Sequence, residues 1–162
     1  MRSSGDASHL DLFEQPASFC SFPRGDFMRL KKKVAQLIAR ERVCRVATVN
    51  EHGVPHLVPV CHVLANGKIC FGSGNDGRKV KNIERNPHVA VAVDLYSDDW
   101  AHIKGVMVQG TATLFARGPR FRRIRELLYE KYPHYRTDAA LGSSDSVVVE
   151  VTPISVFDWE LD

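Results

Sequence analysis

Residues 77–94 read GRKVKNIERNPHVAVAVD. Arg78, Lys79 and Lys81 stand at the start of a short helical pattern, followed by Asn82 and Ile83. Asn86-Pro87 stops it, because the residue before a proline avoids the helical region. From His88 to Val93 apolar residues alternate as in a strand. The start of a helix carries N–H groups without intrahelical partners, and basic side chains beside them make a place for a phosphate. The segment therefore predicts strand, basic turn, short helix, strand. Ser73 ends the preceding strand, where its hydroxyl can add a phosphate contact. Asn82 lies one helical turn after Arg78 and faces the same side. Taken alone, Arg78 and Lys79 read equally as a solvated helix start, and Asn82 as a partner for nearby backbone.

Working outward, Asp26 can cap a helix running to about Arg42, with Phe27, Leu30, Val34, Leu37 and Ile38 at helical spacing. At Val43 the period changes to two. Val43 to Val49 reads as a strand, Asn50-Glu51-His52-Gly53 as a turn, and Val54 to Leu64 as a second strand. Asn66-Gly67 favours positive φ and so a tight hairpin into a third strand, Lys68 to Ser73. Strands follow at about 88–95 and 104–116, a helix at about 119–132 and two final strands at about 146–152 and 154–160, divided by Pro153. Consecutive strands are linked by hairpins too short for parallel crossovers. The expected fold is mainly β with helices, an antiparallel closed or split β-barrel. Residues 1–25 lack periodicity and read as a mobile arm that Phe13, Phe19 and Phe22 could dock in part; residues 26–162 form one domain.

The layout GRK…NP resembles the flavin-phosphate segment of the pyridoxamine 5'-phosphate oxidase-like split-barrel family. The blocks RVATVNEHGVPHLVPV (45–60) and VMVQGTATLF (106–115) resemble that family in the same order. VDLYSDDW (93–100) and EKYPHYR (130–136) are nearest to its deazaflavin-dependent oxidoreductase branch, and the likeness covers about residues 28–160. It implies an FMN-binding split barrel, a homodimer with composite cofactor sites, and Arg78 and Lys79 gripping the cofactor phosphate. It also implies that Val58, Pro59 and Val60 pass beside the isoalloxazine ring. Pro59 lacks an N–H and suits an interrupted ladder. Where the oxidase carries a basic residue and a lysine, this chain has Val58 and Val63. The oxidase's own reaction is therefore not expected. The short Gly74-Asn75-Asp76-Gly77 turn offers few cations for a polyglutamate tail, which tips the balance to FMN over the deazaflavin coenzyme of F-420 type.

Other chemistry is poorly represented. Cys20, Cys44, Cys61 and Cys70 form no CxxC pair, and the last three lie in apolar strand patterns that predict buried, reduced thiols. His62 reads as a satisfied buried histidine, with an approach to ring or substrate as the alternative; His52 and His88 read as solvent-facing. Asp98 and Asp99 with Tyr96 and Trp100 make a capping or pocket-lining loop rather than a metal cage. Tyr132-Pro133-His134-Tyr135 reads as an aromatic packing turn. The net charge of +3 does not demand nucleic acid, and the strands lack the aromatics that stack bases. The absence of a spanning or signal pattern leads to a cytoplasmic expectation, with no membrane partner. The functional expectation is an oxidoreductase in which FMN or the deazaflavin moves hydride to or from a small organic substrate. No side chain would act as a nucleophile. The alternative is a non-catalytic flavin store or sensor.

Overall fold

The computed structural model describes residues 28–161. The arm at 1–25, the capping role of Asp26, and Phe27 and Cys20 lie outside them. The described helix, α1, spans Lys32–Arg40, shorter than the spacing predicted, and buries Val34, Leu37 and Ile38. Strands β1 (Val43–Val49), β2 (Pro55–Ala65) and β3 (Lys68–Gly74) follow. Next come α2 (Arg78–Arg85), β4 (His88–Leu95) and β5 (Lys104–Phe115). Helices α3 (Pro119–Lys131) and α4 (Tyr135–Asp138) precede β6 (Ser146–Trp159).

The six strands close an antiparallel barrel in the order β1-β2-β3-β6-β5-β4. Its interior is apolar and mostly aliphatic: Val46, Ile69, Phe71, Val91, Val108 and Val149 are at most 1% exposed. The two turns read from sequence form as expected. Asn66 and Gly67 both take positive φ, 52° and 74°, in the β2–β3 hairpin. Asn50 accepts from the N–H groups of His52 and Val54, an Asx turn that closes β1 onto β2.

The expected pair of C-terminal strands is one long strand instead. Proline 153 does not end it, because the break is absorbed by a register shift between Gln109 and Gly110, where Gly110 faces Pro153 and Gln109 faces Ser155. A bulge tolerates a residue without an N–H. The approach there is close: a Cβ on Gly110 would lie 2.5 Å from the Thr152 carbonyl oxygen.

Helix α3 covers the outside of β2, β3 and β6. Phe121, Ile124, Leu128 and Tyr129 pack on Val63, Cys70 and Val148 in a second core. Both faces of β3 and β6 are thereby buried, which explains their near-continuous apolar runs. Glu150, 4% exposed on β6, anchors the start of this helix. It accepts from Lys68 Nζ at 2.7 Å and pairs with Arg120 in the first turn of α3.

The other end of α3 is fixed by Tyr132. Register places Val43 opposite Cys61, so the next rung between β1 and β2 would join Arg42 to His62. The Tyr132 hydroxyl takes that rung's place, 2.7 Å from both the Arg42 and His62 carbonyl oxygens and accepting from the His62 N–H at 3.1 Å. Burial pushes this phenol up to about 12. The His62 ring is fully buried, with Nε2 donating to the Ile38 carbonyl at 2.7 Å at the end of α1. Its Nδ1 has no partner, as fits an acceptor atom of a neutral ring. Desolvation lowers its pKa from 6.5 to about 4.

Two outcomes follow for stability. Tyr132→Phe leaves buried backbone groups unpaired and should cost about 1–3 kcal/mol in urea unfolding; an unchanged midpoint would show that water replaces the phenol. For His62, the unfolded chain takes up a proton at pH 6.5 and the folded chain only near 4. Its contribution is complete above pH 6.5 and drains as pH falls towards 4, by on the order of 3 kcal/mol. His62→Gln should flatten that part of a stability-versus-pH curve.

Candidate functional site

The barrel has a split. Strands β2 and β3 pair only at His62–Phe71, Val63–Cys70, Leu64–Ile69 and Ala65–Lys68. Beyond that point Pro55–Cys61 follows β1, while Gly72–Gly74 follows β6. The two walls diverge, and residues 55–61 keep one free strand edge among the described residues. Val58, Pro59 and Val60, the three ring-facing candidates, lie on this wall, opposite Val46, Arg45 and Cys44. Leu57 beside them is 62% exposed.

Ser73, Arg78, Lys79 and Asn82 lie around the opposite wall and the start of α2. Gly77 is the N-cap of α2, without a side-chain cap and with no acid in the first turn. The amides of Arg78 and Lys79 precede the first intrahelical bonds, which run from Val80 and Lys81 to the Gly77 carbonyl at 2.9 and 3.1 Å. The cradle is tight: a Cβ on Gly77 would lie 3.2 Å from the Gly74 carbonyl oxygen and 3.3 Å from Ser73 Oγ. Ser73 is buried and its hydroxyl donates to that carbonyl at 3.1 Å.

The charges here are unbalanced. Among the described residues neither Arg78 nor Lys79 belongs to an ion pair. Lys79 is half-buried, and desolvation lowers its pKa with no acid to oppose it. A partly desolvated ammonium beside free helix amides is in the electrostatic state that an added anion relieves. Asn82 differs from the other three. It is 5% exposed, and its amide donates to the Thr48 hydroxyl at 2.9 Å, tying α2 to β1.

Two residues read from sequence as ordinary packing come to the split. The Tyr135 phenol lies beside the Cys61 thiol, and burial raises its pKa. Tyr135 also lines a concavity of about 280 Å³ with Gly72, Ser73, Leu141 and Ser146. The KYPHYR block was the only signal for it, since nothing local says that Tyr135 meets β3. Two larger concavities, about 690 and 850 Å³, lie along α1 instead. The remaining polar candidates stay out of the site. Cys44 and Cys70 are buried and desolvation pushes both up to about 12, so neither is a thiolate. His52 and His88 are exposed. Asp99 caps the short turn at Trp100–His102 by accepting from the Ala101 N–H. Among the described residues no three His, Cys, Asp or Glu side chains gather to hold a metal, and no helix is long and apolar enough to cross a membrane.

The donor set fits a phosphate-bearing planar cofactor: two cations and free amides at a helix start, a buried hydroxyl, and an apolar strand edge across the gap. Known proteins resemble this chain in sequence and in fold. The 5a,11a-dehydrotetracycline/5a,11a-dehydrooxytetracycline reductase of Streptomyces rimosus subsp. rimosus is 37% identical over 84 residues, 49% of this chain and 59% of that protein. The chain thus matches little more than half the length of this relative. The structure of HutZ, the heme storage protein of Vibrio cholerae, superposes with a TM-score of 0.67 at 17% identity, covering 80% of this chain and 94% of that one. An F-420 reductase superposes with a TM-score of 0.64 at 21% identity, covering 79% and 98%. At such identities the two structures show the shared fold. The pattern of pyridoxamine 5'-phosphate oxidase matches residues 30–160, and with nearly the whole barrel covered the chain belongs to that family.

Proposed function

We propose that this protein is an oxidoreductase that holds FMN, or a deazaflavin in its place, in the split between β2 and β3. The observation that carries the reading is the pair of unmatched cations, Arg78 and Lys79, above the Gly77 cradle. When bound, the cofactor supplies hydride transfer to or from a small organic molecule. The chain's own residues bind and orient it. Arg78 can give a phosphate two parallel hydrogen bonds, and the phosphate gives Lys79 a counter-charge that offsets its desolvation. The Ser73 hydroxyl and the first amides of α2 complete that end. Val58, Pro59 and Val60 offer an apolar wall and a free backbone edge to a flat ring. Asn82 acts indirectly, by holding α2 against β1 through Thr48. The curated relative's name as a reductase supports this reading, as do the family's fold and order of motifs. The short turn at 74–77, with Asp76 exposed, favours FMN over a coenzyme with a polyanionic tail. A protein that binds the cofactor but shows no reductant-dependent turnover would be a store or sensor.

The free edge of β2 and the exposed apolar side chains on and near it support a homodimer. Leu57 on β2, Val54 just before it and Val43 on β1 are 62, 56 and 46% exposed. A second copy would cover them and supply the missing wall of each cofactor site.

The decisive comparison sets Arg78→Ala against Asn82→Ala. Arg78→Ala should leave urea stability within about 0.5 kcal/mol and weaken FMN binding by about 1.5–3 kcal/mol, read from flavin fluorescence. Asn82→Ala should cost stability first, by about 1–2 kcal/mol. Equal FMN affinity in Arg78→Ala and the parent chain would remove the proposed phosphate site. For assembly, light scattering should give twice the chain mass, and Leu57→Glu should shift it towards the single chain with loss of bound cofactor. A single-chain mass with full cofactor would rule out composite sites.

A further inference from the structure

The other concentration of unmatched charge is at α1, at the far end of the barrel. β3 separates the two: it begins beside the Asn66–Gly67 turn, near α1, and its seven residues end beside α2, a span of about 20 Å. Three concavities surround α1. One of about 850 Å³ is lined by Arg29, Leu30, Lys31, Lys32 and Leu64. One of about 220 Å³ contains Lys31, Lys32, Lys33 and Asp158. One of about 690 Å³ contains Lys33, Leu37, Arg40, Lys104 and Leu161. The first two share Lys31 and Lys32 and the last two share Lys33, so together they form one shallow, elongated surface around the helix.

The floor is apolar, from Leu30, Leu64, Leu37 and Leu161, and the rim is mainly cationic, with Asp158 and Glu160 as its acids. Lys31 reaches Asp158 only at 3.8 Å, and Arg40 pairs with its neighbour Glu41. Among the described residues Arg29, Lys32, Lys33 and Lys104 have no acidic partner, whereas Arg45, Lys68, Arg85 and Arg120 do. Three consecutive lysines at the start of a helix oppose the helix dipole, and α1 has no acid in its first turn and no side-chain cap. The arrangement is unfavourable by itself and is relieved by negative charge from outside.

We propose that this surface docks an extended peptide segment of a partner in which acidic and apolar residues alternate. An extended chain presents alternate side chains to opposite directions. Its apolar side chains would fill the leucine-floored hollows while its carboxylates meet the lysine and arginine rim. Other anions fit less well. A bilayer surface is too broad to enter the hollows. Single-stranded nucleic acid needs aromatic platforms, and none lines them among the described residues. A compact small molecule needs an enclosed pocket that buries most of its surface, and these hollows are shallow and joined. The proposal is independent of the flavin reading, because it uses neither Arg78, Lys79 nor the Val58–Val60 stretch of β2.

The test uses the full-length protein and a fluorescein-labelled octapeptide alternating leucine and aspartate, read by fluorescence anisotropy. Binding should weaken about tenfold between low and physiological salt. The double variant Lys32→Glu/Lys33→Glu should weaken it by about tenfold or more, while FMN affinity and far-UV circular dichroism stay unchanged. The same charge change on α3, Arg122→Glu/Arg123→Glu, should leave it intact. No binding, equal binding of a leucine–asparagine octapeptide, or equal loss in the α3 variant would overturn the proposal. So would tighter binding of oligoglutamate, phosphatidylserine vesicles or duplex DNA than of the leucine–aspartate peptide.

Discussion

The arrangement of the candidate site depends on where one hydrogen-bond ladder stops. β2 and β3 are joined by a two-residue turn and share only four residue pairs. Past His62–Phe71, β2 stays with β1 and β3 with β6, so the barrel opens between them. The opening leaves backbone groups that other parts of the chain must satisfy. Tyr132, at the end of α3, fills one missing rung, and His62 Nε2 binds the last turn of α1. These contacts fix the inner end of the gap. The rest of the β2 edge stays free among the described residues.

Charge is distributed in two ways. Where a cation supports the fold it has an acid, as in the buried Lys68–Glu150–Arg120 set that seats α3. A lone Glu150 would be costly in that setting, and two cations offset its desolvation. At the start of α2 and around α1 the cations have no such partner among the described residues. Both places also have helix starts without acids or side-chain caps. Cations at such positions add little to folding and are expected where an anion arrives from outside.

Much of the fold was legible because the patterns are local. The alternation at 43–49, the Asn50 and Asn66-Gly67 turns, and the stop at Asn86-Pro87 all depend on neighbouring residues and appear as read. The helical face Val34, Leu37 and Ile38 is buried as its spacing requires. Pro153 misled because its effect depends on the facing strand. Gly110 and a register shift on β5 let β6 run through it, and neither is visible from residues 146–160 alone.

For the site, sequence by itself determined the helix start with Arg78 and Lys79, and the apolar strand through Val58, Pro59 and Val60. Spacing and residue type suffice for both. Only the tertiary structure decided that Asn82 turns inward to Thr48, that Tyr135 reaches Cys61, and that Tyr132 completes a ladder 70 residues away. Side-chain partners at such separations are set by strand register and helix packing. Those follow from how the whole barrel closes, and no local run of residues encodes them.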